Sequence, residues 1–334
     1  MNRVLTALTL ALLVLVLACP VWAAPKVIKV SMINPEGDPA HLAVRDGFKK
    51  YLEEKTDGRY RVDVYPSSTL GNADTAFQGA QFGSLHMVIE TTSNLTQFVP
   101  EFAVVDMPFI LPDRESIDYV FKEAAIGKKL LGFLEKKGVK PLSADFSTFR
   151  TIDSRMPINT AEDAKGKKIR TTLSKWHMTS IASLGFSPTP MAAAEVITGL
   201  QQGVVDGADF DLIAVLAYRM GDVIKYVLRS EHIGVIYVLF ANPAWWDSIP
   251  AADKPVFEEA VREYTVQFNE RHVKQEAVTA EVLEKEYNMV ISSLSPEQKE
   301  IWRKNGNSAY EKLPRAYQDL AAEIRAAVDE FKKK

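Results

Sequence analysis

The segment AADKPVFEEAVREYTVQFNERHVKQEAVTAEVLEKE, residues 251–286, decides the architecture because it reads as almost uninterrupted helix. A helix of some 30 residues is about 45 Å long, more than one small domain needs and enough to run along two. The chain before it alternates strand and helix. Val27 to Ile33 is a short β-branched run, and a helix over 38–54 carries Leu42, Val44, Phe48, Tyr51 and Leu52 at helical spacing. Residues 61–65 alternate polar and apolar, 72–82 read as a helix, 85–89 as a buried strand, and helices at 114–121 and 128–137 lead into a strand at 139–146. This βαβ succession predicts a largely parallel sheet covered on both faces.

Near Phe149 the rhythm starts again. A strand at 168–171, a helix from Ser174 to Leu184, a helix at 192–202 ending at Gly203 and a strand at 204–210 suggest a second domain. The β-rich run 230–241, interrupted by Gly234, carries the chain back toward the first. The expected fold is α/β: two similar lobes joined by crossing strands and spanned by a long helix, the layout of a hinged cleft protein. The expected division is 24–147 plus 236–275 for lobe I and 148–235 plus 276–334 for lobe II.

Composition agrees with a two-domain globular chain. Of 334 residues, 47% are hydrophobic and 25% charged, and 40 Lys and Arg against 43 Asp and Glu leave a net charge of -3. Without clustered cations nothing here grips nucleic acid through its phosphates. The single cysteine, Cys19, excludes an intramolecular disulfide framework and any Cys-based zinc site. It lies in the one segment that does not look globular. Arg3, the apolar stretch from Leu5 to Ala18 and the small residues up to Ala24 form a secretory signal peptide over 1–23, cut after Ala23. A second processing reading makes Cys19 the acylated first residue of a lipoprotein. Either places the mature protein in the periplasm.

Enzyme signatures are absent from the chain: no G-x-G-x-x-G, Walker loop, G-x-S-x-G or H-E-x-x-H occurs. The five histidines never fall at ligand spacing, and Asp206, Asp209 and Asp211 miss the calcium loop, so no metal or cofactor is expected. Asp206 and Gly207 read as a helix cap and a turn.

Several stretches resemble the solute-binding subunits of TRAP transporters, the tripartite ATP-independent periplasmic uptake systems. They are KTDGRYRVDVYPSSTLG, GSLHM, VVDMPFIL, AEDAKGKKIRTT, LGFSPTPMAAAEVITGLQQGVVDG and NPAWWDSIP, collinear from about residue 27 to 290. The resemblance implies a two-lobed, periplasmic-binding-protein-like fold and capture of an organic acid without catalysis. It makes Arg170, from the Lys-Gly-x-Lys-hydrophobic-Arg strand, the anchor of the ligand carboxylate, with Arg150 twenty positions earlier as a second arginine. A guanidinium suits that role because it is planar, permanently charged and bidentate.

Where many members carry an asparagine after Val-Asp-Gly, this chain has Phe210, and Ala73 and Thr91 stand where a sialic-acid-binding branch has carboxylates. Ala193 replaces a bulkier residue, and Trp176 lies near Arg170 in sequence. These departures point away from a polyhydroxylated sugar acid and toward an apolar or aromatic carboxylate. Asn34, Glu36 and His41, just after the first strand, are further pocket candidates, since crevice ligands sit at the carboxyl ends of strands. The implied partners are the small carboxylate and the TRAP membrane permease subunits, with the binding protein a monomer. Two other classes remain open: a ligand sensor serving a receptor, and a secreted α/β enzyme using Asp206 or His177 as acid or base.

Overall fold

The computed structural model describes residues 24–333; the signal segment and Cys19 lie outside them. Among the described residues eleven strands run in chain order: β1 Lys26–Met32, β2 Tyr60–Tyr65, β3 Met87–Thr91, β4 Lys140–Phe149, β5 Thr151–Ser154, β6 Lys168–Thr171, β7 Ser187–Pro190, β8 Gly207–Phe210, β9 Tyr226–Arg229, β10 Gly234–Ala241 and β11 Val290–Ser293. They form two sheets, ordered β2-β1-β3-β10-β4 and β11-β9-β5-β8-β6-β7. Every residue of β3 and β8 is buried, as befits central strands covered on both faces.

Neither sheet is wholly parallel. β1 pairs in parallel with β2 and β3, but β10 inserts antiparallel between β3 and β4. In the second sheet β5 runs antiparallel to both β8 and β9. The cause is the crossing: β4 and β5 are one extended run broken only at Arg150, and β9 passes into β10 through residues 230–233. The Arg150 amide donates to the Ile233 carbonyl at 2.9 Å, so the two crossovers are tied side by side. The run 230–241 is therefore a crossover loop followed by a strand that begins at Gly234.

The long helix, Lys254–Tyr287, holds both units. Phe257, Tyr264 and Phe268 join the core of the first sheet with Ile28, Phe48 and Ile89, while Leu283 joins the second with Val227 and Met289. It packs against the helical run Pro39–Ala43, Val44–Lys49 and Lys50–Lys55, whose middle segment is a π turn. Gly47 lies in that turn, where a Cβ would come within 2.9 Å of the Glu263 carbonyl oxygen, so the close helix approach excludes a side chain. No helix among the described residues is long and apolar enough to cross a membrane.

The C-terminal helices part company. Pro296–Glu311 sets Trp302 against Phe186 of the second unit, with ring centroids 5.6 Å apart. Arg315–Phe331 instead places Leu320, Ile324 and Val328 in one cluster with Phe102, Val120 and Leu130. The expectation that 276–334 belongs wholly to lobe II is thus corrected for this helix, whose apolar face is buried by the first lobe.

Candidate functional site

A cavity of about 630 Å³ lies where the two units meet. On the second unit it is bordered by Arg150, Arg170, Trp176, Ala193 and Phe210, and on the first by Asn34 and Thr91. Two expected residues are not in its wall. Glu36 is exposed, and His41 is turned inward, its Nδ1 accepting the Gly37 amide at 3.2 Å. They follow β1 as the strand-edge argument requires, but the turn at Gly37 sends one to solvent and the other into the helix.

Arg170 is the penultimate residue of β6, beside β8 and in register with Ala208. It is 4% exposed, with Nε donating to the Met191 carbonyl at 2.9 Å and Nη1 to the Asp209 carbonyl at 3.4 Å. Its guanidinium carbon sits 4.3 Å from the Phe210 ring centroid, a cation–π contact. Among the described residues no carboxylate pairs with it. Burial, then the neighbouring Arg150 charge, pull its pKa down from the usual arginine value to about 9.

Arg150 is differently placed. Its Nη1 donates to the Asp209 carboxylate at 2.8 Å and to the Asp209 carbonyl at 3.2 Å. Although burial acts against its charge, Asp209 outweighs it and the pKa lies above the usual value. Asp209 is the centre of a closed cluster: its second carboxylate oxygen meets His177 Nε2 at 2.7 Å and His232 Nε2 at 3.0 Å. Burial would raise the Asp209 pKa, but His177, Arg150 and His232 together hold it well below the usual carboxylate range. Burial pulls the His177 pKa below the ordinary histidine value, and its Nδ1 lies 2.9 Å from the Thr172 hydroxyl.

The ligand atoms of His177, Asp209 and His232 lie within 4.8 Å of one another, the spacing of a metal site. The donor set does not fit one. Both rings already contact Asp209 directly, and the guanidinium of Arg150 occupies the other carboxylate oxygen, where a cation would be repelled. Asp206 is neither cap nor acid: its amide and carboxylate bracket the Lys168 backbone at 2.8 and 2.9 Å, fixing β8 to β6. Gly207 belongs to β8, where a Cβ would lie 2.4 Å from the Asp153 carbonyl oxygen.

Aromatic groups border the arginine end. Trp176 packs on the first-lobe core and meets Tyr317 edge-on at 6.4 Å, while Phe210 meets Tyr218 at 5.7 Å. The opposite wall is polar, with Asp38, Ser93, Asn94 and Tyr237 joining Asn34 and Thr91. Asp38 had a local signal, an aspartate before a proline at a helix start, and it does cap that helix, accepting the Ala40 amide at 2.8 Å. Tyr237 had none, since mid-strand it reads only as part of a β-rich run.

The family description "bacterial extracellular solute-binding protein, family 7" matches residues 30–318. The chain is 32% identical over 262 residues to the C4-dicarboxylate-binding periplasmic protein DctP of Rhodobacter capsulatus, covering 78% of this chain and 76% of that one. A solute-binding protein of Verminephrobacter eiseniae is 30% identical over 242 residues, 72% of each chain. A TRAP periplasmic solute-binding protein of Polaromonas, solved with D-erythronate bound, superposes with a TM-score of 0.82 at 32% identity, over 91% of this chain and 98% of that one. Another from Haemophilus influenzae, with bound L-gulonate, gives 0.84 at 26%, covering 90% and 99%. The chain belongs to the bacterial extracellular solute-binding proteins of family 7, the binding subunits of TRAP transporters, and is a periplasmic binding protein and not an enzyme.

Proposed function

We propose that this protein, acting as a monomer, captures an organic acid by its carboxylate in the interdomain cavity and delivers it to a TRAP membrane permease. One observation carries the reading: Arg170 is a buried guanidinium bordering a 630 Å³ cavity, and no carboxylate among the described residues forms an ion pair with it. An unpaired buried charge is costly, and a ligand carboxylate removes that cost while gaining charge-assisted hydrogen bonds. Nη2 has no hydrogen-bond partner among the described residues, and Nη1 has only the long bond to Asp209, so the guanidinium edge retains donors for an anion.

First-lobe groups complete the enclosure and favour the closed state, because contacts made only on closure shift the population toward it. Phe210, Trp176 and Ala193 support an apolar or aromatic portion of the ligand near the arginine. The polar opposite wall supports a ligand with hydrogen-bonding groups at its other end, as the gulonate and erythronate held by two relatives have.

The test is a thermal-shift screen of the mature protein against organic acids. A ligand at 100 times its Kd adds about 2.7 kcal/mol to stability. The shift from the best acid should vanish in Arg170→Ala; an undiminished shift in that variant sinks the reading.

A further inference from the structure

Charges bordering the cavity are unevenly matched. Arg150 is committed to Asp209, and Arg170 awaits an anion. Across from them on the first unit, Asp38 borders the cavity, and Asp211, which follows Phe210 on the second unit within electrostatic reach of Arg150, borders it too; each is more than nine-tenths buried. Among the described residues neither forms an ion pair: Asp38 is held by the Ala40 amide and Asn34, and Asp211 caps its helix through the Ala214 amide at 2.9 Å. Their charges act on each other, and Tyr218 stands within electrostatic reach of Asp38 on one side and Arg170 on the other.

A second, independent observation lies beside them. Asn34 is 4% exposed and borders the cavity, yet its Oδ1 accepts no hydrogen bond. Its orientation is fixed, because Nδ2 donates to Asp38 Oδ1 at 3.0 Å and to the Tyr237 hydroxyl at 3.1 Å; turning the amide over would set two oxygens against each other. A buried acceptor without a donor is destabilising. The first-unit wall therefore presents an unserved acceptor beside a carboxyl group that has no ion-pair partner among the described residues.

We propose that the ligand is zwitterionic: while its carboxylate meets Arg170, a protonated amine at its other end donates to Asn34 Oδ1 and Asp38, with Asp211 alongside. The inference rests on the carboxylate reading above. An ammonium supplies three donors and the positive charge that Asp38 lacks. Burial presses the same way, raising the Asp38 pKa to about 7 and that of Asp211 to about 6 without the ligand. His272, which also borders the cavity, is kept neutral by burial at a pKa of about 4 and supplies no competing cation.

The experiment measures Kd by calorimetry for β-alanine, γ-aminobutyrate, δ-aminovalerate, ε-aminocaproate and α-amino acids, each against its hydroxy and unsubstituted counterpart. Wild type, Asp38→Asn, Asp211→Asn and Arg170→Ala are compared; asparagine retains the helix-capping acceptor in both aspartate variants. At least one amino acid should bind more tightly than both counterparts. Asp38→Asn should then lower that affinity by about tenfold to a hundredfold more than it lowers that of the unsubstituted acid, the size of a hydrogen bond to a charged group. Hydroxy or unsubstituted acids that bind as well as their amino partners, with binding still lost in Arg170→Ala, overturn the ammonium and leave the carboxylate reading intact. If no acid of any class binds, both fall.

Discussion

Arg150 and Asp209 form a buried ion pair at 2.8 Å, while Arg170, beside them, donates to backbone carbonyls, those of Met191 and Asp209, and among the described residues to no carboxylate. The two arginines should therefore respond differently to truncation. Arg150→Ala strands a buried carboxylate and should destabilise the protein by about 3 kcal/mol. Arg170→Ala removes a buried cation with no counterion and should leave stability within about 1 kcal/mol of wild type while abolishing ligand binding. Urea denaturation and ligand titration of both variants separate the two roles.

Asp153 gives stability a pH dependence of its own. Burial, reinforced by Asp209 and Asp211, raises its pKa from 3.8 to about 8. A carboxyl raised in the folded state is held protonated there, so its contribution is full below pH 4 and declines as pH rises from about 4 to about 8. Asp153→Asn mimics the neutral acid, with an amide that can serve the Thr151 hydroxyl, 2.7 Å away, and an oxygen for the Phe210 amide, 3.1 Å away. Its stability relative to wild type should grow across that window and level off above it. Denaturation midpoints at pH 5, 7 and 9 measure the trend, and a difference that does not vary with pH counts against it.

Gly207 pairs with Ser154 across β5 and β8, two residues before Asp209. An added methyl meets the Asp153 carbonyl rather than a flexible side chain, so the strands must part. Gly207→Ala should cost about 1–3 kcal/mol, as overpacking does, and should weaken ligand binding by shifting Asp209 from Arg150. Melting temperature and Kd should fall together; a loss of stability with unaltered affinity would separate the strand from the site.

Ile324 is wholly buried against the first lobe. Ile324→Ala should cost about 2–5 kcal/mol. Amide exchange should show the loss spreading to helices Arg114–Lys122 and Ala125–Lys136, which contact this helix, before it reaches Pro296–Glu311. The reverse order would assign the C-terminal helix to the second lobe.

Much of this fold is legible because its signals are local. The period of Leu42, Val44 and Phe48 needs only neighbouring residues, and Lys168–Thr171 has the expected ends. The crossover at Arg150 is not legible, since no turn residue separates two strands that belong to different sheets. β7 reads Ser-Pro-Thr-Pro and signals no strand, yet it survives at a sheet edge, where missing amides are tolerated. At the cavity, Arg170 and Arg150 stood out through motif and spacing. Asn34 and Tyr237 meet across some two hundred positions, a proximity that only the folded chain creates. The nearest misreading is Glu36, whose position after β1 was right and whose direction depended on the turn at Gly37.

The single residue between β4 and β5 has a mechanical consequence. If the lobes rotate about the paired crossovers, displacement grows with distance from that axis, as along a lever arm. Arg150 stands at the fulcrum, so its pair with Asp209 travels little, while the outer rim of the first lobe sweeps furthest. One end of the ligand can then be seated against a nearly stationary anvil before the moving wall arrives. Substitutions at the rim alter what the jaw closes upon, whereas a substitution at position 150 alters the pivot and the anvil at once.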